Sequence, residues 1–540
     1  MTEAQRSLVR IVSNYVRLFA TLILALYWAP LLLRGVEDNA FGLIAFLGTT
    51  AGLAERIRGI INRSMVRELG VAYHQDDPKQ FLEAVNCAHV VCLGAGLLTL
   101  LLHGGLMAVL HLFPVSEGIL IAGYWFLVAK GIESFFTVVL APIFNFYLID
   151  ERMPTYNFWL VAIRAANILA AIVLIAFFPL TEAAKIRDIS NNVIIYGFLS
   201  AGIATLMLAI PVAWLVITDS RFRPRPSLVS RGGVKNILAV GGWNTSMIIA
   251  TSSFIPATGA FMFALLGELG GRIFGFAMPL TYYVRQLATG MAAGLDAVTT
   301  RVTAGKSSVS LQHIIVQSTR LNGFVIFPAM AFIVVLANPI IQLWVGHKLD
   351  NPLDVAMTAD LVRTLALGAI AMGISESWIT IIYGAGYIHK VVPIILLGLV
   401  AFLAFTPVAI WMAPAEWEYL APAFSCSLMI TLSMLLGIAA IIAHLLKMRA
   451  TEIIAPLTRP LISALVLLPI LIAFLQYVKD WSLWLLIGAM FLYGGVYLIL
   501  CWIYVLQKHE RLQILGAVSN IRSRRTSSNS SENSTTSAKP

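Results

Sequence analysis

The sequence predicts an all-α, polytopic membrane protein of about fourteen transmembrane helices, and three observations lead to that class. The 540 residues are 59% hydrophobic and 12% charged, with a mean hydropathy of +0.85, about half the charge density of a soluble globular domain. Apolar runs recur along the chain at lengths suited to a hydrocarbon core about 30 Å thick, which takes about 20 residues of helix. Lys and Arg collect in alternate connections, the pattern expected when cytoplasmic loops retain them.

Six spans are expected near residues 11–33, 40–62, 84–112, 118–148, 155–179 and 192–218. Six more are expected near 236–264, 270–297, 312–345, 356–384, 391–413 and 418–446, then a final pair near 453–477 and 481–506. The chain so divides into an N-terminal six-helix lobe over 1–218, a basic cytoplasmic linker over 219–235 and a C-terminal six-helix lobe over 236–446. An additional helix pair over 447–507 and a tail over 508–540 follow; the tail is rich in Ser, Asn and Thr and too polar to bury a core. Met1 to Arg10 is polar and basic, and the apolar run continues past Trp28 and Pro30 without a small-residue cleavage site. It reads as a retained first helix.

Orientation follows from the basic residues. Arg63, Arg67 and Lys79, the group Arg221, Arg223, Arg225, Arg231 and Lys235, then Arg301 and Lys306, and Lys447, Arg449 and Arg459 all fall on one side with the tail. Loops on the other side carry Glu37, Asp38, Asp350, Asp354, Glu416 and Glu418. Both termini are therefore expected in the cytoplasm, the protein being multi-pass in the cytoplasmic membrane. Phe41-Gly42 in the second span is echoed by Phe274-Gly275 in the eighth, a hint of duplication that would place two bundles around a central site.

Charged side chains inside a bilayer cost about 2.5 to 3.5 kcal/mol even on insertion scales, so they normally face protein or a water-filled cavity. Arg10, Asn14, Arg17 and Thr21 share one face of the first span; Tyr282, Arg285, Thr289 and Asp296 share one face of the eighth. His313, Gln317 and Arg320 do so in the ninth, and Asn157, Arg164 and Asn167 in the fifth. Lys130 and Glu133 are neighbours on the fourth, while the tenth holds Arg363 and Glu376. Bases outnumber acids in this set, which favours an anionic cargo, and arginine suits phosphate because its planar fork binds oxygens bidentately. Asn14, Arg17, Lys130, Arg164, Arg285 and Arg320 are thus the candidate substrate contacts. Glu376, Glu133 and Asp296 are the candidate ion-coupling carboxylates, since desolvation raises a carboxyl pKa toward the physiological range. The competing readings are structural: Arg10, Arg301 and Arg363 near span ends can snorkel, Glu133 can simply pair with Lys130, and Asp296 with Arg301. Pro30, Pro142, Pro256, Pro279 and Pro328 are expected to permit kinks, and Trp28, Trp243, Trp344 and Trp417 to form an interfacial belt.

Other classes are disfavoured. Cys87, Cys92, Cys426 and Cys501 lie in apolar segments and behave as small hydrophobes. The net charge of +10 sits in short loops and the tail without a stacking platform, so nucleic-acid binding is not expected. No nucleotide-binding loop, nucleophile elbow, zinc spacing or dinucleotide fingerprint occurs; neither cofactor nor metal nor enzymatic activity is expected.

Several segments in order resemble a known family: Asn14-Tyr15-Val16-Arg17 leading to Phe41-Gly42-Leu43, then Leu266-Gly267-Glu268-Leu269-Gly270, then the run Asn338 to Gly346 and Tyr383-Gly384-Ala385-Gly386-Tyr387-Ile388-His389-Lys390. Together they are similar to the polysaccharide (Wzx-like lipid-linked oligosaccharide) flippase branch of the multidrug/oligosaccharidyl-lipid/polysaccharide (MOP) exporter superfamily. The resemblance implies fourteen helices in two lobes around a cationic cavity. The implied activity carries an undecaprenyl-diphosphate-linked glycan repeat unit to the outer leaflet by alternating access, coupled to an ion gradient. It implies a monomer working with membrane lipids and with glycosyltransferases or a glycan polymerase. The seventh span, around Thr251 to Phe263, lacks the acidic residue often found in relatives. A multidrug or cation antiporter of the same superfamily is the alternative, for which twelve spans and an acidic cavity would be expected; a membrane-bound glycan polymerase or ligase would need a large outer loop.

Overall fold

Helix occupies each of the fourteen apolar stretches. The computed structural model describes residues 3–75, 77–180, 185–239, 242–292, 295–303, 310–346, 349, 351–505 and 511. The long helices are α1 (Glu3–Val36), α2 (Asp38–His74), α3 (Pro78–Leu110), α4 (Glu117–Val139), α5 (Met153–Phe177), α6 (Ile186–Thr218) and α7 (Gly242–Leu266). They continue as α8 (Glu268–Ala292), α9 (Leu311–Val335), α10 (Pro352–Gly384), α11 (Ile388–Met412), α12 (Glu418–Leu446), α13 (Ala450–Tyr477) and α14 (Leu483–Val505). No strand occurs among the described residues. Among the described residues twelve helices are long and apolar enough to cross a membrane, so this is a multi-pass membrane protein; α2 and α8, which carry more charge, fall outside that set. The polar tail lies outside the described residues apart from Arg511.

Local chemistry sets the boundaries. Asp77 accepts from Lys79 N and Gln80 N at the start of α3, and Asn351 accepts from Leu353 N at the start of α10; each is followed by a proline. These side chains satisfy amide groups with no intrahelical partner, and a proline in the first turn sacrifices none. The structure also shortens several expected spans. The fourth stops at Val139, and Pro142 opens the short helix Ala141–Phe144 instead of kinking a longer one. The ninth breaks at Leu336 before the short helix Ala337–Trp344, and the seventh is preceded by a separate helix, Arg231–Ala239. Pro30, Pro256, Pro279 and Pro328 do lie inside helices.

Three apolar clusters organise the packing. One, from Met65 to Ile237, belongs to the first half of the chain, and another, from Met247 to Val505, to the second. The third joins the halves, bringing Phe41, Phe46 and Leu47 together with Phe263, Phe274, Phe276 and Leu361. At its centre α2 crosses α8. A Cβ on Gly42 would stand 2.0 Å from the Glu268 carbonyl oxygen, and one on Gly271 would stand 2.3 Å from that of Gly42, so only glycine admits this approach. Aromatic rings seal it: Phe41 stacks on Phe276 at 4.8 Å and Phe46 on Phe263 at 4.0 Å. The Phe-Gly echo of the sequence thus meets itself across the interface. Gly267, at φ 59°, turns the chain from α7 into α8, and Ser116 donates from N and Oγ to Glu268 Oε1 at 2.6 and 2.8 Å.

An ion triad closes the same end. Arg272 on α8 reaches Asp38 Oδ2 of α2 at 3.0 Å and Asp354 Oδ2 of α10 at 2.6 Å. All three side chains are largely buried, at 11%, 13% and 3% exposure. Two of the expected belt tryptophans also serve the protein interior: Trp28 donates to Tyr196 Oη at 2.6 Å, and Trp344 to the Leu26 carbonyl at 2.5 Å. Trp243 and Trp417 are exposed, as a belt requires. Toward the other end of the molecule the halves still touch where α1 passes α8, Leu18 and Tyr15 packing against Gly290.

Candidate transport site

Between the two halves, polar residues converge from α1, α5 and α8. On α5 the buried Asn157 donates to Ser13 Oγ at 2.8 Å and to Asn14 Oδ1 at 3.0 Å, tying the polar faces of α1 and α5 together. Its own Oδ1 is buried without a hydrogen-bond partner in the described structure. One turn further along α1, Arg17 comes within electrostatic range of Tyr156, beside Asn157, and of Arg164, about two turns further along α5. Arg164 in turn lies within range of Tyr283, on α8 of the other half. No carboxylate of the described residues pairs with Arg17. Arg17 is half-buried and Arg164 exposed; like charges set near one another repel, and an anion between them would relieve that repulsion.

Arg285 has a different setting. Its Nη2 donates to Glu376 Oε2 of α10 at 3.1 Å, with side-chain exposures of 18% and 20%. Glu376, partnerless within its own helix, thus finds a partner 91 residues away. The Arg285 Nε is buried and makes no hydrogen bond in the described structure. Beside this pair opens a cleft lined by Thr281, Tyr282 and Arg285 of α8, Gly368 and Met372 of α10, and Cys426 and Ser427 of α12. Immediately beyond it α12 carries a π-helical stretch, Thr431–Gly437, a feature common near functional sites.

The other candidates fall into three cases. Lys130 donates to Glu133 Oε2 at 2.7 Å and to Ser200 Oγ of α6 at 3.1 Å, so the two charges satisfy one another where α4 meets α6. Arg320 is half-buried on α9, next to Thr319, which accepts from Trp378 Nε1 at 2.7 Å, and it is engaged in a polar or electrostatic contact. Asp296 lies on the short helix Leu295–Thr303, and its side chain is outside the described residues. Arg363 pairs with Asp360 at 2.6 Å, the local arrangement expected of a residue near a span end.

Sequence reasoning missed Tyr156, Tyr283 and above all Arg272. Asp38 and Asp354 read as loop acids, and nothing along the chain announces that a third residue brings them together. The one available signal was Arg272 itself, a charge one turn into the apolar eighth helix.

No family model matches the chain, and no curated protein sequence does. Solved structures do match. An inward-facing multidrug resistance MATE family transporter of the MOP superfamily superposes with a TM-score of 0.63 at 14% identity, covering 79% of this chain and 98% of its own. The lipid II flippase MurJ in an inward closed conformation also gives 0.63, at 13% identity, covering 91% of this chain and 98% of its own. A MOP superfamily transporter from Pyrococcus furiosus, described by the reverse polarity of its binding pocket, gives 0.53 at 14% identity, covering 80% and 96%. The chain therefore has the fold of the MOP-superfamily transporters.

Proposed function

We propose that the chain is a flippase that carries an undecaprenyl-diphosphate-linked oligosaccharide from the inner to the outer leaflet of the cytoplasmic membrane by alternating access. The observation that carries this reading is the Arg17–Arg164 pair, two cations from different helices facing the interface of the halves without a carboxylate on Arg17. A diphosphate is drawn to two neighbouring cations, and guanidinium groups hold it bidentately. In this reading the N-terminal lobe is α1–α6 and the C-terminal lobe α7–α12. Helices α2 and α8 are the thirteenth and fourteenth spans, more polar than the rest because they line the interface. Both termini then face the cytoplasm, and the joined end with its Asp38–Arg272–Asp354 triad faces outward. Extent of match also supports it: the flippase structure covers 91% of this chain against 79% for the drug transporter, a margin the size of the α13–α14 segment.

A cation antiporter is the second reading, favoured by the equal TM-score of the MATE structure and by Glu376 beside the cleft. Reconstitution separates the two. In proteoliposomes a fluorescent polyprenyl diphosphate should become accessible on the opposite leaflet only when the protein is present. Arg17→Glu and Arg164→Glu, introduced singly, should each abolish that movement while leaving the yield of monodisperse protein unchanged. Lipid movement indifferent to both reversals, together with proton-driven efflux of a cationic dye, would replace the flippase by the antiporter.

A further inference from the structure

We infer that the segment joining the two halves is a binding surface for anionic phospholipid: Arg223, Arg225, Arg231 and Lys235 take headgroup phosphates of the cytoplasmic leaflet while Leu238 enters the acyl layer. The inference takes only its orientation from the reading above, with the linker on the cytoplasmic side, and is independent of the cargo.

The segment is pinned, so its charges are displayed in fixed places. Just beyond α6, Phe222 is buried edge-on against Phe146 at 4.7 Å and Phe81 at 6.1 Å. On α3, Asn86 Oδ1 accepts from the Arg225 backbone N–H at 2.5 Å, and Cys87 Sγ accepts from that of Ser230 at 3.4 Å. Ser230 Oγ then accepts from Gly233 N at 2.9 Å in the first turn of the helix Arg231–Ala239. A Cβ on Gly233 would stand 2.7 Å from Cys87 Sγ, and Ile237 is buried in the cluster of the first half, so this helix lies hard against α3. A surface already ordered in this way loses little conformational freedom when a ligand arrives.

What the segment presents outward is cationic and not neutralised within the protein. Arg221 turns back on Asp219 at 2.6 Å, but Arg223, Arg225, Arg231 and Lys235 are exposed, and none of them forms an ion pair among the described residues. In the helix, Arg231, Lys235 and Leu238 follow one another at spacings of four and three residues and so share one stripe. Leu238 is 58% exposed in that stripe. The flanking spans set its depth: α6 ends with Trp214 and Ile217 exposed, and α7 begins with Trp243 exposed, as at a membrane–water boundary. A soluble polyanion, whether nucleic acid or acidic protein, has a use for the cations and none for Leu238. A phospholipid uses both, its phosphate meeting the cations and its acyl chains the leucine.

The test uses the full chain in phosphatidylcholine nanodiscs doped with photoreactive phosphatidylglycerol or, in parallel, photoreactive phosphatidylcholine, the adducts being mapped by peptide mass spectrometry. Peptides from the linker should carry several-fold more of the anionic lipid than of the zwitterionic one. Each of Arg223→Gln, Arg225→Gln, Arg231→Gln and Lys235→Gln should lower that excess by up to about fivefold, and the four combined should abolish it. Adducts on the apolar faces of the other helices should stay at wild-type levels, which reports that the variant is folded. Added salt should shrink the excess on the wild type, a measurement that needs no variant, while free glycerol phosphate should leave it intact. Equal labelling of the linker by the two lipids, or an excess that survives the four changes, overturns the inference. Displacement by free glycerol phosphate, or linker-dependent capture of an RNA oligonucleotide without any lipid preference, replaces the lipid by a soluble anion. None of these outcomes reads cargo movement, so each leaves the flippase reading standing.

Discussion

Arg272 and Arg17 are both arginines inside an apolar helix bundle, and the protein treats them in opposite ways. Arg272 is enclosed between two carboxylates on two other helices, at 3.0 and 2.6 Å, beside the close crossing of α2 and α8. Arg17 has a second arginine for its neighbour and no carboxylate. The first arrangement answers the cost of burying charge with local counter-ions and joins the halves of the chain. The second leaves that cost unanswered, which is tolerable only where solvent or a ligand supplies the missing charge. Cation content alone does not locate a transport site; the distribution of counter-ions does.

The contrast breaks most readily at Arg272. Arg272→Met leaves Asp38 and Asp354 buried without their shared cation, and stranding buried charge costs about 3 to 5 kcal/mol. Thermal unfolding in detergent should show a large fall in midpoint, whereas Arg17→Met, which removes one of two like charges, should leave the midpoint unchanged or slightly raised. Equal losses in the two variants would erase the distinction. A smaller effect is expected from Gly42→Ala, because its methyl would meet the Glu268 carbonyl and push α2 from α8; overpacking of this kind costs about 1 to 3 kcal/mol. Spin labels on either side of the α2–α8 crossing should report a wider separation in that variant, and an unaltered distance would show that the crossing is not tight.

Much of the architecture was legible along the chain because helix in lipid is a local matter. Apolar length and polar breaks place α10 and α12 within a few residues of their observed limits, while α1 and α6 begin well before the expected spans; 3.6-residue spacing placed Asn14 and Arg17 on one face, where Asn157 meets Asn14. Pairing between helices was not legible. Glu133 and Lys130, three residues apart, could be matched from spacing alone, but Glu376 and Arg285 are 91 residues apart and Arg272 and Asp354 82. Such partners depend on how two halves of a bundle cross, and the crossing depends on Gly42 and Gly271, whose role shows only when the opposing backbone is seen. For the same reason Trp28 and Trp344, placed by sequence in an interfacial belt, proved to hydrogen-bond across helices.

The mildest test concerns an ion pair outside the membrane, where the same electrostatics should count for little. Just beyond α6, Asp219 accepts from Arg221 Nε at 3.0 Å, from Nη2 at 2.6 Å and from the Arg221 backbone N–H at 3.0 Å. The Arg221 hydrogen bonds hold the Asp219 carboxyl below the usual carboxylate range against the opposing pull of partial burial. A carboxylate depressed in the folded state stabilises it above its unfolded pKa of about 3.9, and that contribution fades as pH falls through the lower folded value. With Arg221 42% exposed, solvent screening limits the pair to about 0.5 kcal/mol. Asp219→Asn should therefore lower the unfolding midpoint slightly at neutral pH and match the wild type once the acid limb passes below the folded pKa. A deficit near neutrality as large as that of Arg272→Met would show that burial is not what separates strong from weak ion pairs in this protein.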